Sequence, residues 1–316
     1  MIDSHLHLGL NGITAETLIE YLDTYHLDKC WLLTWEEVGN HIKWNYHPFP
    51  VEPVLEAYQK YPDRIVPFYA PDPNRPDAVE RFQEYYHKGI RGCGELKANV
   101  RWDSPQLQPL LECIHQLKLP LIFHMEEGHQ GFSFQAEHRF DQVLAKCFRT
   151  HKLGGIPAKT ARWLCNGIPV LRKKYKELQY HFSGYLMDFE TLERALQQYP
   201  DIKFIGHGPF FWKNISKDVP KDVQYPTGHI DQEGIICYLL TTYDNLYADL
   251  SGGSGYYALT RDPTFARTFL IRYATKLLYG TDNYQLGLKS FLDSLDLPAN
   301  VYDRIYHQNA KQLIHP

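Results

Sequence analysis

The chain opens with Met1-Ile2-Asp3-Ser4-His5-Leu6-His7-Leu8, a run that carries both a strand signal and a chemical signal. Side chains alternate between the two faces of a strand, so His5 and His7 point to the same side. Two imidazoles on one side of a strand form half of a metal site, because imidazole nitrogen suits zinc and neighbouring transition metals. An exposed polar terminus that happens to hold two histidines is the alternative, since this spacing alone is a weak signal.

Seven further apolar runs follow the first, and stretches with helical periodicity separate them. Most runs are rich in Ile, Leu, Val, Phe or Tyr, as expected for strands that are covered on both faces. The predicted strands are 1–8, 29–35, 64–70, 89–96, 119–124, 202–207, 245–250 and 276–281. The predicted helices are 14–26, 53–60, 78–87, 106–117, 189–199 and 234–242. This alternation predicts an α/β fold, a (β/α)8 TIM barrel. A doubly wound open sheet is the rival, but no G-x-G-x-x-G follows the first strand.

One connection is far longer than the others. Residues 125–180 separate the fifth and sixth predicted strands, where one helix with short loops would suffice. Helical patterns at 140–150 and 158–176 lie inside it. We therefore expect one TIM-barrel domain over residues 1–316, with 125–180 as a helical cap over the barrel mouth. A second long loop, 208–231, is expected after the sixth strand.

Composition narrows the class of protein. Apolar residues make up 44% of the 316 positions and charged residues 22%, which is typical of a soluble globular enzyme. The net charge of −4 argues against a nucleic-acid binder, which would show a basic excess. We see no signal peptide and no apolar run long enough for a membrane span. The six cysteines are scattered, as in a reduced cytoplasmic protein. We expect a small-molecule substrate, and a homodimer is left open.

Polar side chains occur where several predicted strands end. In a TIM barrel the carboxyl ends of the strands form the active site, so these side chains would converge near one point. Taken singly, each histidine has the ordinary interpretation of a buried, hydrogen-bonded ring. Taken together, the set predicts a metal-dependent catalytic site. Its members are His5, His7, Glu95, Lys97, His124, His207 and Asp282.

This order of residues resembles the amidohydrolase superfamily, with H-x-H on strand one, His on strands five and six, and Asp on strand eight. Within it, the sequence resembles the amidohydrolase-related branch that includes aminocarboxymuconate-semialdehyde decarboxylase. The likeness spans the whole chain and is carried by segments 199–208, 247–251, 278–282 and 309–310.

The resemblance implies that His5, His7, His124 and Asp282 ligate one divalent metal, with zinc expected and manganese as an alternative. Three neutral imidazoles and one carboxylate leave the ion partly charged, so that a bound water would have a pKa of about 7. Asp282 would take the proton, and His207 would polarise the substrate or stabilise an oxyanion.

Glu95 is open between two interpretations. Gly92-Cys93-Gly94-Glu95 resembles a strand-four segment of TatD-like metallonucleases, in which the Glu binds a second metal. A carboxylate at a strand end equally often accepts an imidazole N–H and orients a ligand.

Three residues are candidates for binding the substrate. Lys97 and Arg91 would pair with a substrate carboxylate, although ordinary surface charge is the alternative for both. Trp212 follows His207 in a predicted loop that overhangs the metal, where its ring would stack on a planar substrate or pack the cap.

The leading hypothesis is a metal-dependent hydrolase that acts on a small organic acid, lactone or amide through a metal-activated water. A non-oxidative decarboxylase on the same metal site is the alternative, and a TatD-like metallonuclease or phosphodiesterase is the second alternative. A non-catalytic binding protein on the same barrel would not need metal-ligating side chains that converge at the strand ends.

Overall fold

The structure is a computed structural model that describes residues 1–36, 48–132, 139–140, 158–186, 188–217, 219–220, 223–284 and 286–314. All eight predicted strands are confirmed, most of them shorter than their apolar runs. A hairpin of two further strands lies in the predicted insertion. The strands are β1 (Ile2–Leu6), β2 (Lys29–Leu32), β3 (Ile65–Pro67), β4 (Cys93–Leu96), β5 (Pro120–His124), β6 (His129–Phe132), β7 (Gln179–Phe182), β8 (Lys203–His207), β9 (Leu246–Asp249) and β10 (Leu277–Leu278).

The eight predicted strands form a closed barrel. They pair in parallel in the orders β1-β2-β3 and β4-β5-β8-β9-β10, and backbone hydrogen bonds join these two sheets at both seams. At one seam Tyr69 N donates to Gly92 O over 3.1 Å. At the other, Ser4 N donates to Tyr279 O over 2.9 Å and Asp282 N donates to His5 O over 2.8 Å. The predicted (β/α)8 barrel is therefore confirmed.

Helices follow the strands as the periodicity predicts. The first one, Ala15–Thr24, buries Leu18 and Leu22 on one face, and the hydroxyl of Thr14 accepts from the backbone N–H of Thr17 at its start. None of the helices in the described part of the chain has the length and apolar character that a membrane span requires. The others are Val51–Lys60, Ala78–His87, Gln108–Leu117, Ala158–Gly167, Pro169–Leu178, Phe189–Gln198, Pro209–Lys213, Ile235–Thr242, Gly252–Thr260, Pro263–Arg272, Leu288–Ser294, Ala299–Asp303 and Asn309–Leu313.

The prediction of a long loop over 208–231 is wrong at its start. Gly208 adopts φ 100°, which turns the chain sharply, and Pro209 then begins the short helix Pro209–Lys213. Proline suits the first helical position because the N–H it lacks would have no partner there. The sequence analysis also missed Gly252–Thr260, whose glycine-rich start lowers helix propensity.

The described residues fall into two compact units. One consists of 1–36, 48–127 and 185–314, apart from its undescribed positions, and contains the barrel. The other contains the hairpin of β6 and β7 together with Ala158–Gly167 and Pro169–Leu178. The predicted helix at 158–176 is thus present, whereas the one at 140–150 lies outside the described residues after its first position. That the insertion caps the barrel mouth remains a prediction.

Candidate metal centre

Five strand ends bring one cluster of buried side chains together. The cluster consists of four imidazoles and two carboxylates, all but one of which are almost fully buried; the side chain of Asp282 is 19% exposed. All six residues were predicted from the sequence as site residues. The cluster members are His5 and His7 from β1 and its end, Glu95 from β4, His124 from β5, His207 from β8 and Asp282 after β10.

One half of the cluster surrounds the Nε2 atoms of His5 and His7, which lie 3.0 Å apart. His7 Nε2 lies 3.2 Å from Asp282 Oδ1 and 3.4 Å from Glu95 Oε2. His5 Nε2 lies 3.7 Å from each of these oxygens. Two nitrogens and two carboxylate oxygens therefore face a common point.

The other half lies on the opposite oxygen of Glu95. His124 Nδ1 is 2.6 Å from Glu95 Oε1, and His207 Nε2 is 3.8 Å from the same oxygen. His207 Nε2 also lies 3.9 Å from Asp282 Oδ2. Glu95 thus faces both halves, with one carboxylate oxygen toward each.

Backbone contacts between the first and last strands fix this geometry. The Asn283 side chain accepts from His7 N over 2.7 Å and donates to His7 O over 2.9 Å. Asp3 accepts from the backbone N–H of Thr281 over 3.1 Å and from its hydroxyl over 2.7 Å. A side chain at Gly280 would place its Cβ 3.0 Å from His5 Cβ, so any larger residue there would push His5 away.

The imidazoles fit a transition-metal ion. His7 Nδ1 donates to Leu33 O over 2.9 Å, and His5 Nδ1 donates to Asp249 Oδ2 over 2.5 Å. Each ring therefore turns its Nε2 toward the other ring. Two nitrogen lone pairs 3.0 Å apart repel each other unless a proton or a cation lies between them. In tetrahedral zinc sites two ligand nitrogens are separated by about 3.3 Å. Within the described part of the chain, three sets of donor residues could hold an ion: His5/His207/Asp282, His5/His7/Glu95 and Glu95/His124/His207.

Neighbouring positive charge keeps the acidic ligands ionised. Burial alone would raise the pKa of Asp282, but the positive charge of His5 and the interaction with His7 lower it overall. Burial likewise opposes ionisation of Glu95, and the charges of Lys97 and His124 outweigh it, so that the pKa of Glu95 falls well below its usual value. Ionised carboxylates are the form that binds a cation.

The histidines differ in their electrostatics. Burial favours the neutral ring of His5, but the negative charges of Asp249 and Asp282 outweigh it and raise the pKa of His5. Burial and the positive charge of His5 lower the pKa of His207, so this ring is neutral near pH 7. A neutral imidazole is the form that ligates a metal.

Of the predicted substrate-binding residues Lys97 and Arg91, only Lys97 lies at the cluster. Lys97 is buried at the cluster, with Nζ 3.0 Å from Glu95 Oε2 and 3.4 Å from the centre of the Trp35 ring. Arg91 lies before the amino end of β4, away from the strand ends that form the cluster, and its guanidinium donates to Ile90 O. The structure thus brings Lys97 to the site and does not bring Arg91 there. Their contact with a substrate remains a prediction.

Trp212 is fully buried in the short helix that follows β8. Its indole N–H donates to the backbone carbonyl of Asp249 over 2.9 Å. Its ring packs edge-on against Phe211 and Phe269. These contacts give the ring a packing role beneath the site, and its predicted contact with substrate remains untested.

Two acidic residues of the site were missed in the sequence analysis. Asp249 ends β9 and contacts both His5 and His207. Glu126 is buried just after β5, with Oε2 3.2 Å from His124 Nε2. Each lies at the end of a predicted strand, which is the signal that could have found it.

Comparisons with known proteins agree with this architecture. A family model described as amidohydrolase matches residues 2–315. No curated protein matches the chain.

Solved structures of three proteins illustrate the likeness in fold. A TIM-barrel protein from Bordetella bronchiseptica is 17% identical, with a TM-score of 0.55 over 94% of this chain and 81% of that one. A probable 2-pyrone-4,6-dicarboxylic acid hydrolase from Acinetobacter baumannii is 13% identical, with a TM-score of 0.54 over 99% and 98%. A 5-carboxyvanillate decarboxylase from Novosphingobium aromaticivorans, in complex with manganese, is 14% identical, with a TM-score of 0.50 over 95% and 80%. At these identities the likeness is one of fold.

We expect Trp212→Phe to destabilise the protein by about 1–3 kcal/mol, because it leaves the buried carbonyl of Asp249 without a donor. Urea unfolding measures this loss. Trp163→Phe is the matched control, since Trp163 is 72% exposed and its replacement should leave stability unchanged. An unchanged unfolding midpoint in Trp212→Phe together with a raised KM would contradict the packing role and support contact with substrate.

Proposed function

The chain belongs to the amidohydrolase family, as the pattern of strand-end residues predicted, and from this premise we propose that it is a metal-dependent hydrolase of a small organic acid, lactone or amide. The observation that supports this proposal is the convergence of imidazole nitrogens and carboxylate oxygens. The Nε2 atoms of His5 and His7 lie 3.0 Å apart, and each lies within 3.7 Å of an oxygen of Glu95 and of Asp282.

We assign the metal to His5, His7, Glu95 and Asp282. A divalent ion held there would supply Lewis acidity, which polarises a carbonyl and lowers the pKa of water. Mixed nitrogen and oxygen donors suit zinc, and the manganese in the decarboxylase of similar fold supports manganese as the alternative. A second ion would use Glu95, His124 and His207.

Asp282 is suited to move the proton. Its Oδ1 lies 3.2 Å from His7 Nε2, whereas its Oδ2 lies 3.9 Å from His207 Nε2. In hydrolysis the water oxygen forms a bond to the carbonyl carbon, and the C–O or C–N bond to the leaving group breaks. Asp282 Oδ2 takes the proton from water and returns it to the leaving group. Lys97, buried beside Glu95, would pair with the carboxylate of an acidic substrate.

Decarboxylation is the alternative, supported by the decarboxylase of similar fold. The bond between the substrate carbon and its carboxylate breaks, carbon dioxide leaves, and Asp282 Oδ2 delivers a proton to that carbon. No observation on the described residues favours the metallonuclease alternative.

Isotope incorporation separates the two reactions. Lactones, amides and aromatic carboxylates are first screened for turnover, and the converted compound is then tested in labelled water. Hydrolysis in H2¹⁸O should place ¹⁸O in the product, because the water oxygen becomes part of it. Carbon dioxide release in D2O, with deuterium on carbon and no ¹⁸O gained from labelled water, would replace the hydrolase proposal by the decarboxylase.

Metal analysis tests the site itself. We expect close to one tightly held divalent ion per chain, and we expect His7→Ala to lose most of it because a direct ligand is removed. His229→Ala is the matched control, since the side chain of His229 is 85% exposed and should not affect metal content. The site assignment is wrong if His7→Ala keeps the metal content of the unaltered protein.

Asp282→Asn separates ligation from proton transfer. The amide keeps an oxygen that can bind a cation but cannot take a proton, so turnover should fall at least about a hundredfold. Some metal should remain. Asp244→Asn, at a fully exposed carboxylate, serves as the control for kcat. Near-normal turnover in Asp282→Asn would show that another group is the base.

A further inference from the structure

Asp249 is a buried carboxylate outside the three donor groups that nevertheless contacts two of their histidines. Its Oδ2 lies 2.5 Å from His5 Nδ1 and 3.2 Å from His207 Nδ1. The same oxygen accepts the hydroxyl hydrogen of Ser251 over 2.8 Å, and Oδ1 accepts from Ser251 N over 2.9 Å. One carboxylate therefore contacts rings from β1 and from β8.

These contacts determine which nitrogen of each ring carries hydrogen. Ser251 Oγ has a single hydrogen, and it donates that hydrogen to Asp249. It can therefore only accept from His207 Nδ1, which lies 3.2 Å away, so this nitrogen carries a hydrogen. His5 Nδ1 faces a carboxylate oxygen at 2.5 Å and must donate as well. In the neutral rings Nε2 is then the only nitrogen with a lone pair.

We propose that Asp249 is a positioning residue that fixes the same tautomer on His5 and His207, so that both rings present Nε2 to the metal centre. The inference rests on the proposed metal-dependent function. With hydrogen on Nδ1, His207 would offer its Nε2 lone pair to the centre through the donor group that it forms with His5 and Asp282.

The surroundings of Asp249 hold it in place for this role. Its backbone carbonyl accepts the indole N–H of Trp212 over 2.9 Å. Gly280 packs so closely that a Cβ there would lie 2.9 Å from Asp249 Oδ1. The side chain itself is fully buried. The carboxylate is thus fixed from several sides, and the two rings must adapt to it. Such carboxylate–histidine contacts raise ligand basicity and fix ring orientation in metal sites.

Ring-nitrogen NMR of ¹⁵N-histidine-labelled, metal-loaded protein tests the proposal. The unaltered protein should show Nδ1–H signals from both His5 and His207. In Asp249→Asn both should shift, and the apparent metal affinity should fall about 10- to 100-fold. Ser251→Ala removes only the hydroxyl, so only the His207 signal should move. This second variant keeps the test decisive if Asp249→Asn does not fold.

Asp262→Asn is the matched control. Asp262 is another buried carboxylate, which accepts from the backbone N–H groups of Ile230 and Phe265 and contacts no member of the cluster. It should lower stability without changing metal affinity. The proposal is overturned if Asp249→Asn keeps both Nδ1–H signals and stays within about threefold in affinity. It is also overturned if Ser251→Ala moves the hydrogen of His207 to Nε2, because Ser251 and not Asp249 would then fix that tautomer. If the unaltered protein binds no metal, the proposed function fails, while the two signals still test the role of Asp249.

Discussion

The burial of carboxylates inside the barrel is the constraint on which the rest of the site depends. Glu95 and Asp249 have almost no exposed surface, and an ionised carboxylate costs several kcal/mol to remove from water unless it is paired. Every one of their oxygens meets a donor: Lys97 and His124 for Glu95, His5 and Ser251 for Asp249. The imidazoles therefore have two roles. They stabilise the buried negative charge, and they can bind a cation. Removing one member leaves a buried charge without its partner, which costs about 3–5 kcal/mol.

Such a cluster needs strands that hold their ends in register, and the closed barrel provides them. The seam between β1 and β10 matters most, since His5 and His7 approach Asp282 across it. Backbone hydrogen bonds donated by Ser4 and Asp282 close this seam, and the Asn283 side chain forms two hydrogen bonds with the backbone of His7. The chemistry at the centre thus depends on backbone pairing between residues nearly the whole chain apart.

The sequence was informative where the physical signal is local. Apolar runs located all eight strands, and a polar residue at the end of an apolar run located His124, His207 and Asp282. The short helix Pro209–Lys213 was missed because it depends on the positive φ of Gly208, a property of the folded backbone. Asp249 also ends an apolar run, so its place at the barrel mouth could have been predicted. Its contacts with rings on two other strands could not, because no spacing along the chain encodes them. Trp212 was predicted either to stack on substrate or to pack, and the sequence could not show that its indole N–H donates to the carbonyl of Asp249.

The balance of charge at the centre bears on how many ions it holds. Glu95, Asp249, Asp282 and Glu126 contribute four negative charges within or beside the cluster, and Lys97 contributes one positive charge. One divalent ion would leave this set with a small net negative charge. A second ion would make the net charge positive inside a buried space. The ammonium of Lys97 also lies 3.0 Å from Glu95 Oε2, the oxygen that faces His7, so an ion bound beside that oxygen would share it with Lys97. The count of charges therefore argues for one ion rather than two, and Lys97 sets how much of the negative charge of Glu95 is left to bind it.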